Sequence, residues 1–518
     1  MEHLPSLILL LAVVAGVSVL ARRVPIPEPV LLAIAGVLWS QTPGLPRPEI
    51  EPELVLGVLL PPLLYSEAWF TSWLDFRRWL RPILQLAIGL VAFTIAAVGL
   101  VAHWAMPHLS WAACFLLGAI VSPTDTVAVQ TVLGRLRAPR RTTAILGGES
   151  LVNDATGLLG VGLALAVVAT GVFEPAAVAL SFARVAGLGL AIGVAVGWLA
   201  AALNQRVRGT HALFSLSLVA PFAAYFLAEH GGASGILAVV IAGFVSSWRQ
   251  NYIAPGSRIE LYATWDQLEF LLNGLMFLFI GLEALPRLFE ALESAPQVVR
   301  ATLLVSVTVT AARIVWIFPA AYLPLVFAPR LRAREGGYPD PRSVTVGAWC
   351  GVRGGVSLAA ALSIPEALAG RPEIIACTLI VILVTLVGQG VTLLPLVRWL
   401  GLENADPVES EVRRAREVML EAGIHRLDAF CSEHNCPIAV HRYREAMADE
   451  LEALRAQDEI ERSRALERQS VAIEVRRAVY QAQTDALLAL RDDGGMNDMI
   501  HQELQLGLDR ANGDVVEA

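Results

Sequence analysis

Thirteen apolar stretches fill the first 400 residues, and their lengths constrain the fold more than any other feature of the chain. A helix needs roughly 20 apolar residues to cross a hydrocarbon core of about 30 Å, where every backbone polar group must find a hydrogen bond within the protein. The sequence therefore predicts an all-α polytopic membrane protein with about thirteen transmembrane helices. The segments are 4–21, 28–42, 53–70, 82–105, 111–134, 143–169, 176–203, 211–229, 232–248, 266–285, 299–327, 343–365 and 372–400.

Composition supports the same class of protein. Of the 518 residues, 55% are hydrophobic and only 17% are charged, whereas a soluble domain has about 25% charged residues. The first apolar run, residues 4–20, has no basic region before it and no small-residue cleavage site after it. We therefore expect a retained helix and not a cleaved signal peptide.

The arginines that flank the segments predict the orientation of the chain, because cytoplasmic loops carry an excess of basic residues. Alternate loops, beginning with the first, hold seventeen arginines, and the opposite loops and their margins hold five. The richer side has Arg22, Arg23, Arg77, Arg78, Arg81, Arg135, Arg137, Arg140, Arg141, Arg206, Arg208, Arg249, Arg258, Arg330, Arg332, Arg334 and Arg342; the other has Arg47, Arg184, Arg287, Arg300 and Arg371. We expect an outside N-terminus, a cytoplasmic C-terminus and a location in the cell membrane, the inner membrane of a bacterium.

The character of the sequence changes after Leu400, which divides a transmembrane domain at 1–401 from a charged tail at 402–518. We predict that this cytoplasmic tail is helical, over stretches such as 409–421 and 440–490, and that it is regulatory. The tail also contains Cys431, Cys436 and His441. They suggest either a zinc or redox site or a turn with two ordinary thiols, because the spacing matches no standard zinc pattern well.

Ionisable residues inside the segments are costly to bury in a membrane, so each is a candidate functional residue. In segment five, Pro123 removes a backbone donor and disfavours helical geometry at Ser122, so we predict a break in the helix there. Thr124 and Asp125 follow the break. They could bind a cation together with free backbone carbonyls, or Asp125 could only cap an interfacial turn.

Segment six carries a second polar group, with Glu149, Ser150, Asn153 and Asp154 in one short stretch. On a helix Ser150, Asn153 and Asp154 share a face, with Glu149 alongside. Two carboxylates this close on a transmembrane helix cannot both face lipid, which favours a function over a purely structural role.

Two arginines must be paired or solvated if segments eleven and twelve cross the membrane: Arg313 and Arg353. Arg353 lies in a glycine-rich stretch with Gly351, Gly354 and Gly355, which should unwind segment twelve near its middle. Segments five and twelve occupy matching places in two six-helix units that are separated by one helix and so have opposite topology. Paired broken helices in inverted repeats indicate a midplane ion site in secondary transporters.

These motifs closely resemble the monovalent cation:proton antiporter-1 family, the sodium/proton exchangers. The resemblance rests on residues 122–157, with Gly-Glu-Ser-Leu-Val-Asn-Asp-Ala at 148–155, on Leu-Leu-Pro-Pro-Leu-Leu at 59–64, and on Gly-Val-Arg-Gly-Gly at 351–355. It extends over about residues 1–400 and leaves out the tail.

The resemblance implies that Asp154 carries the cation and the proton in turn, with Asn153 as its partner. The further positions that match the family's cation site are Thr124, Asp125 and Ser150. Glu149 matches a structural carboxylate that pairs with an arginine, and we choose Arg313 as that partner.

The resemblance also implies a homodimer. Residues of about 1–73 and 176–290 would form its interface part, and residues of about 80–170 and 297–400 a moving core. No nucleic acid, cofactor or enzymatic activity is expected, and the substrates would be H⁺ and Na⁺, with K⁺ and Li⁺ as alternatives.

One buried carboxylate suffices for exchange, because Asp154 can hold a cation or a proton but not both. Burial disfavours the bare carboxylate, so an empty charged core should cross the membrane poorly while either loaded form is neutralised. Glu149 and Arg313 cancel, and Asn153 has no charge to titrate. We therefore expect electroneutral 1:1 exchange, unless Asp125 also titrates.

Three other functions remain open at this point. Asp125 and Asp154 could line a cation channel. A membrane hydrolase could use paired carboxylates, although no H-E-x-x-H spacing of metal ligands is present. A non-transporting sensor would instead use its tail as the output module.

Overall fold

The computed structural model describes residues 3–24, 26–46, 48, 50–136, 138–171, 174–207, 209–248, 253, 255–294, 297–402, 408–433, 437–455, 477–489, 504–505 and 507–509. The regular secondary structure of these residues is entirely helical, which confirms the all-α prediction for them. The chain forms two compact units, Met1–Asp406 and Pro407–Ala518. The first contains the apolar segments and the second contains the charged tail.

The helices of the first unit follow the predicted segments. They are α1 (His3–Ala21), α2 (Glu28–Ser40), α3 (Pro52–Phe70), α4 (Trp73–Arg78), α5 (Leu80–Ala105), α6 (Trp111–Val121), α7 (Val127–Arg135), α8 (Arg140–Thr170), α9 (Pro175–Asn204), α10 (Thr210–His230), α11 (Gly235–Ser247), α12 (Pro255–Ser294), α13 (Val298–Phe327), α14 (Pro329–Arg334), α15 (Pro341–Trp349), α16 (Gly355–Leu362) and α17 (Arg371–Trp399). Within the described residues, eight helices are long and apolar enough to cross a membrane, and four shorter apolar helices accompany them. Each of the thirteen predicted segments coincides with one helix or with a broken pair.

Local sequence explains where several helices begin and end. Ser110 caps α6 by accepting a hydrogen bond from the Ala113 N–H at 3.2 Å, and Ser234 caps α11 by accepting one from the Leu237 N–H at 3.2 Å. Such caps satisfy N–H groups that have no partner within the helix. Gly171 ends α8 with a φ of 70°, a conformation that is strained for residues with a side chain.

Two predicted helix breaks are present. The helical pair α6 and α7 is interrupted at residues 122–126, around Pro123, and the pair α15 and α16 is interrupted at residues 350–354, in the glycine-rich stretch. Proline and glycine disfavour continuous helix for the reasons given above. Segment ten is longer than predicted, because α12 continues as one helix of 40 residues on both sides of its apolar centre.

The site region is held by packing of α8 against α6, of α13 against α5 and α17, and of α12 against α2 and α17. The approach of α8 to the first break depends on Gly157. A Cβ atom at this position would overlap the ring of Pro123. The glycine therefore lets the broken pair lie directly against the helix that carries Asp154.

The second unit contains α18 (Val408–Glu433), α19 (Ile438–Arg455) and helical residues 477–489. Arg444 of α19 donates hydrogen bonds of 2.6 and 3.2 Å to the two carboxylate oxygens of Asp428 on α18. These bonds hold the pKa of Asp428 below its usual range. Helical structure in the tail thus matches the prediction over the described residues, whereas 456–476, within the predicted stretch 440–490, lie outside them.

Candidate cation site

The two helix breaks contact each other through their backbones. The Asp125 N–H in the first break donates a 2.8 Å hydrogen bond to the Val352 carbonyl in the second. In return, the Arg353 guanidinium donates from Nε to the Val121 carbonyl at the end of α6, at 3.0 Å. The breaks therefore brace one another, and backbone groups that neither helix can satisfy alone find partners across the crossing.

Helix α17 supports the second break with side-chain groups. Gln389 accepts a hydrogen bond from the Gly351 N–H at 3.1 Å, and Thr385 accepts one from the Arg353 N–H at 3.2 Å. Arg353 also donates from Nη1 to the carbonyl of Gly351. The unwound backbone is thereby fixed in place.

Asp154 lies beside this crossing, near the middle of α8, and is only 6% exposed. The residue lines a cavity of about 30 Å³, which exceeds the ~10–15 Å³ needed to hold one water molecule. Among the residues that the structure describes, none donates a hydrogen bond to this carboxylate. Asp154 is therefore a buried carboxyl group without a hydrogen-bond donor in the described part of the chain, and such a group is costly to keep ionised unless a cation pairs with it.

Asp125 caps a helix and also lines the cavity. Its Oδ1 atom accepts a 2.9 Å hydrogen bond from the Val127 N–H at the start of α7, as a capping residue would. The residue is half-buried and lines the same cavity as Asp154. A Cβ atom on Gly354 would overlap the Asp125 carboxylate. The close approach of the second break to Asp125 thus requires glycine.

Thr124, Ser150 and Asn153 form a buried network next to the two aspartates. Ser150 donates its hydroxyl to the Thr124 carbonyl at 3.1 Å, and the Asn153 amide donates to the Thr124 hydroxyl at 2.7 Å. Thr124 and Ser150 line the cavity, whereas Asn153 stands behind Thr124 and positions it. The structure therefore brings together all five residues that the sequence proposed for the cation site.

The predicted pair of Glu149 and Arg313 is also present. Arg313 of α13 donates two hydrogen bonds to the two carboxylate oxygens of Glu149 on α8, at 2.5 and 2.9 Å. Both side chains are fully buried, at 0% and 1% exposure. The Thr124 hydroxyl donates a further bond to Glu149 at 3.3 Å, and Arg313 Nε donates to the Gly347 carbonyl at 3.0 Å. Glu149 is therefore satisfied within the protein and points away from the cavity, which it does not line.

Among the polar cavity residues that were not singled out from the sequence are Glu67 of α3 and Asn273 of α12. Glu67 lies inside the third predicted segment, so the criterion that selected Asp154, an ionisable residue within an apolar run, would have found it. Asn273 carries no such signal, because an amide within a long apolar helix is common. Both residues approach the aspartates from helices outside the two broken pairs.

The tail yields no metal site among the described residues, since they contain no group of three His, Cys, Asp or Glu side chains that could hold a metal ion. Cys431 takes part in a disulfide bond. The interpretation of this residue as an ordinary free thiol was therefore wrong, because its sulfur is bonded. Cys436, the other cysteine of the motif, lies outside the described residues.

Comparison with known proteins identifies the family of the apolar unit. The sequence model of the family described as "Sodium/hydrogen exchanger, transmembrane" matches residues 8–399. An uncharacterised Na⁺/H⁺ exchanger of Mycobacterium bovis is 33% identical, over 97% of this chain and 95% of its own. A sodium, potassium, lithium and rubidium/H⁺ antiporter of Bacillus pumilus is 30% identical, over 85% of this chain and 68% of its own.

The fold has a counterpart among solved structures. The sodium proton antiporter MjNhaP1 of Methanocaldococcus jannaschii, determined at pH 8, superposes with a TM-score of 0.60 at 19% identity. The match covers 76% of this chain and 98% of the other. The uncovered quarter of this chain is about the size of the second unit.

Proposed function

Because the chain belongs to the sodium/hydrogen exchanger family, we propose that Asp154 is the carboxylate on which its two substrates, a monovalent cation and a proton, compete. The protein is a membrane antiporter of monovalent cations and protons, and not an enzyme. Its cargo ions are substrates, and no resident cofactor is part of the proposal.

One observation carries this assignment: Asp154 has no hydrogen-bond donor within the described part of the chain, yet it is buried in a cavity of about 30 Å³. The cavity is large enough to hold a water molecule or a small dehydrated cation. The hydroxyls of Thr124 and Ser150 and the carboxylate of Asp125 line the same space. Hard cations prefer such oxygen ligands.

Competition at Asp154 couples the two ions without a separate gate. A cation bound there excludes the proton, and a proton neutralises the carboxylate that would bind the cation. The empty form leaves an uncompensated charge in a medium of low polarity, which is costly to move across a membrane. Only the two loaded forms therefore exchange sides readily.

The fixed charges around Asp154 support electroneutral exchange of one cation for one proton. Glu149 and Arg313 neutralise one another as a bidentate pair. The formal charge of Asp125 is cancelled by that of Arg353, which is buried at the same crossing and donates to the carbonyl groups of Val121 and Gly351. Asp154 is then the one charge of the proposed core that changes during the cycle.

We propose Na⁺ as the main cation, with K⁺ and Li⁺ as alternatives. The relative from Mycobacterium bovis is named for Na⁺, and that from Bacillus pumilus for Na⁺, K⁺, Li⁺ and Rb⁺. The lining of the cavity favours small hard cations but does not by itself rank them.

Alternating access would follow from movement of one part of the protein against another. In this proposal, residues of about 80–170 and 297–400 move as the core, and residues of about 1–73 and 176–290 form the interface part of a homodimer. The position of Glu67 and Asn273 supports this division, because these residues of the interface part face Asp154 and Asp125 of the core across one cavity.

Thirteen membrane crossings in two inverted six-helix repeats, an outside N-terminus and a cytoplasmic tail complete the proposal. The matching positions of the two broken pairs and the distribution of arginines support it. We propose the plasma membrane of a bacterium as its location, where exchange would contribute to pH and cation homeostasis.

Purified protein in liposomes tests the function directly. A pH-sensitive dye inside the vesicles should report proton movement as Na⁺, K⁺ or Li⁺ is added in turn, with saturation at high cation concentration. Asp154→Asn should abolish the response while the protein remains folded and inserted. Normal cation-driven pH change in that variant would refute the assignment, and unitary currents in place of saturating exchange would indicate a channel.

A further inference from the structure

One residue that lines the cavity carries a hydroxyl oxygen that the proposed cation site does not use. Ser357 lies in the first turn of α16, just after the second helix break, and lines the same cavity as Asp154. The residue is 1% exposed, and its Oγ atom has no hydrogen-bond partner among the described residues. A buried hydroxyl without a partner is unusual in native proteins and calls for an explanation.

Two threonines of α17, the helix that supports the second break, satisfy their hydroxyls within their own helix. Thr385 donates to the Val381 carbonyl at 2.9 Å, and Thr378 donates to the Ile374 carbonyl at 2.8 Å. Such bonds to the preceding turn are the usual outcome for these residues within a helix. Ser363, at the other end of α16, likewise donates to the Ala360 carbonyl at 2.9 Å.

Ser357 has no such preceding turn. The residues three and four positions before it, Gly354 and Arg353, belong to the unwound break, and the helix begins only at Gly355. The hydroxyl is therefore left without a partner in a helical turn that lines the cavity.

We propose that Ser357, just after the second helix break, is a ligand of the cation held by Asp154 and contributes its hydroxyl oxygen. The inference rests on the proposed function and extends it. The hydroxyls of Thr124 and Ser150 are already engaged with protein groups, as donors to Glu149 and to the Thr124 carbonyl. The free lone pairs of Ser357 suit a small hard cation such as Na⁺.

Such a ligand separates the two substrates of Asp154. A cation draws on every oxygen around it, whereas a proton forms a covalent O–H bond to the carboxylate and needs no surrounding shell. Ser357 should therefore strengthen cation binding while leaving proton binding nearly unchanged. Because α8 and α16 would hold the same ion, cation binding would also link these two helices.

Kinetics of exchange at several pH values measure the two affinities separately, because competition makes the apparent KM for Na⁺ rise as the proton concentration rises. Ser357→Ala should raise the pH-independent KM for Na⁺ about tenfold, the size of a lost interaction with a charged group. The proton affinity from the same fit should change less than twofold. Ser363→Ala, in the same short helix, is the matched control and should leave both constants unchanged.

Ser357→Cys gives a second readout that a purely structural serine would not affect. A thiol is a softer ligand than a hydroxyl, so this variant should lose Na⁺ exchange while keeping exchange of the softer ion Tl⁺. Its ratio of Tl⁺ to Na⁺ activity should rise at least fivefold over wild type. This variant also carries the test if Ser357→Ala does not fold.

An unchanged KM for Na⁺ in Ser357→Ala, or an unchanged Tl⁺/Na⁺ ratio in Ser357→Cys, would overturn the inference. Equal losses of cation and proton affinity would do the same, because they would indicate general damage to the site. Asp154→Asn, assayed in parallel, keeps the two proposals apart. If that variant is inactive while Ser357 proves neutral, the function stands and only the additional ligand fails.

Discussion

Neutralising either partner of the Glu149–Arg313 pair should destabilise the protein more than neutralising both. The two side chains meet through hydrogen bonds of 2.5 and 2.9 Å, and both are fully buried. Removing one partner leaves an isolated buried charge, which typically costs about 3–5 kcal/mol of folding free energy. Glu149→Gln strands a cation on α13, and Arg313→Gln strands an anion on α8.

The double variant contains neither stranded charge. Its loss reduces to the hydrogen bonds that Gln cannot reproduce, roughly 1–3 kcal/mol. The sum of the two single losses should therefore exceed the loss in the double variant by at least about 3 kcal/mol, well beyond the additivity of independent sites. The surrounding bonds from Thr124 and to the Gly347 carbonyl act on one residue each and do not change this sign.

Thermal unfolding in detergent, followed by tryptophan fluorescence, measures the ranking of the four proteins. From highest to lowest, the expected order of melting temperature is wild type, then the double variant, then the two single variants. The partly exposed pair of Arg287 and Glu283 provides a control. Its N–O distance is also 2.9 Å, but Arg287 is 31% exposed, whereas Arg313 is fully buried. A pair of this kind should show a coupling of only about 0–1 kcal/mol.

The transport assay makes a stricter demand on the same variants. If Glu149 is structural, the double variant with an intact Asp154 should retain some cation-dependent exchange in liposomes. Additive losses of stability would separate Glu149 from Arg313 and refute the pairing argument. A folded double variant without transport would instead place Glu149 in the ion pathway.

Three further changes test other parts of the proposal. Exchange should be insensitive to an imposed membrane potential, because one net charge crossing the full field is worth about 2.3 kcal/mol per 100 mV and would be readily visible; rates that rise steadily with potential would implicate Asp125 as a second carrier. Gly354→Ala should abolish transport, since its Cβ atom would overlap the Asp125 carboxylate, whereas Gly388→Ala, with open space around it on α17, should be neutral or slightly stabilising. Glu67→Gln should raise the KM for the cation without abolishing exchange, because Glu67 lines the cavity but is not the proposed carrier; complete loss of exchange in a folded protein would place Glu67 beside Asp154 as an essential group.

Features that depend on neighbouring residues in the sequence, such as the helix breaks, could be predicted from the sequence. Pro123 and the glycines around Arg353 signalled the two breaks, because proline and glycine act on their own stretch of backbone. Helical spacing placed Ser150 and Asp154 on one face, and burial cost required a partner for Arg313.

What the sequence did not reveal depends on contacts between distant residues. The hydrogen bond from Asp125 to the Val352 carbonyl joins residues that no periodicity relates. The role of Asn273 and the free hydroxyl of Ser357 appear only when α12 and α16 meet the crossing. An amide or hydroxyl in an apolar helix is too ordinary to stand out, so its surroundings decide its function.

The crossing of the two breaks also argues for Asp154 over Asp125 as the titrating carboxylate. Four half-helices end there, and helix ends carry partial charges of opposite sign. Asp125 accepts a hydrogen bond at the positive N-terminus of α7, and Arg353 donates to a carbonyl at the negative C-terminus of α6. These fixed charges are therefore stabilised by the protein itself.

Asp154 lies instead within the continuous helix α8, and among the described residues no group donates a hydrogen bond to its carboxylate. The helix ends of the broken pairs thus stabilise the charges of Asp125 and Arg353. In our proposal, the charge of Asp154 on α8 is instead offset by the incoming cation or proton. Under our proposal, such an exchanger would bind one cation in one half of the cycle and one proton in the other. The charge carried across the membrane would then be the same in both directions.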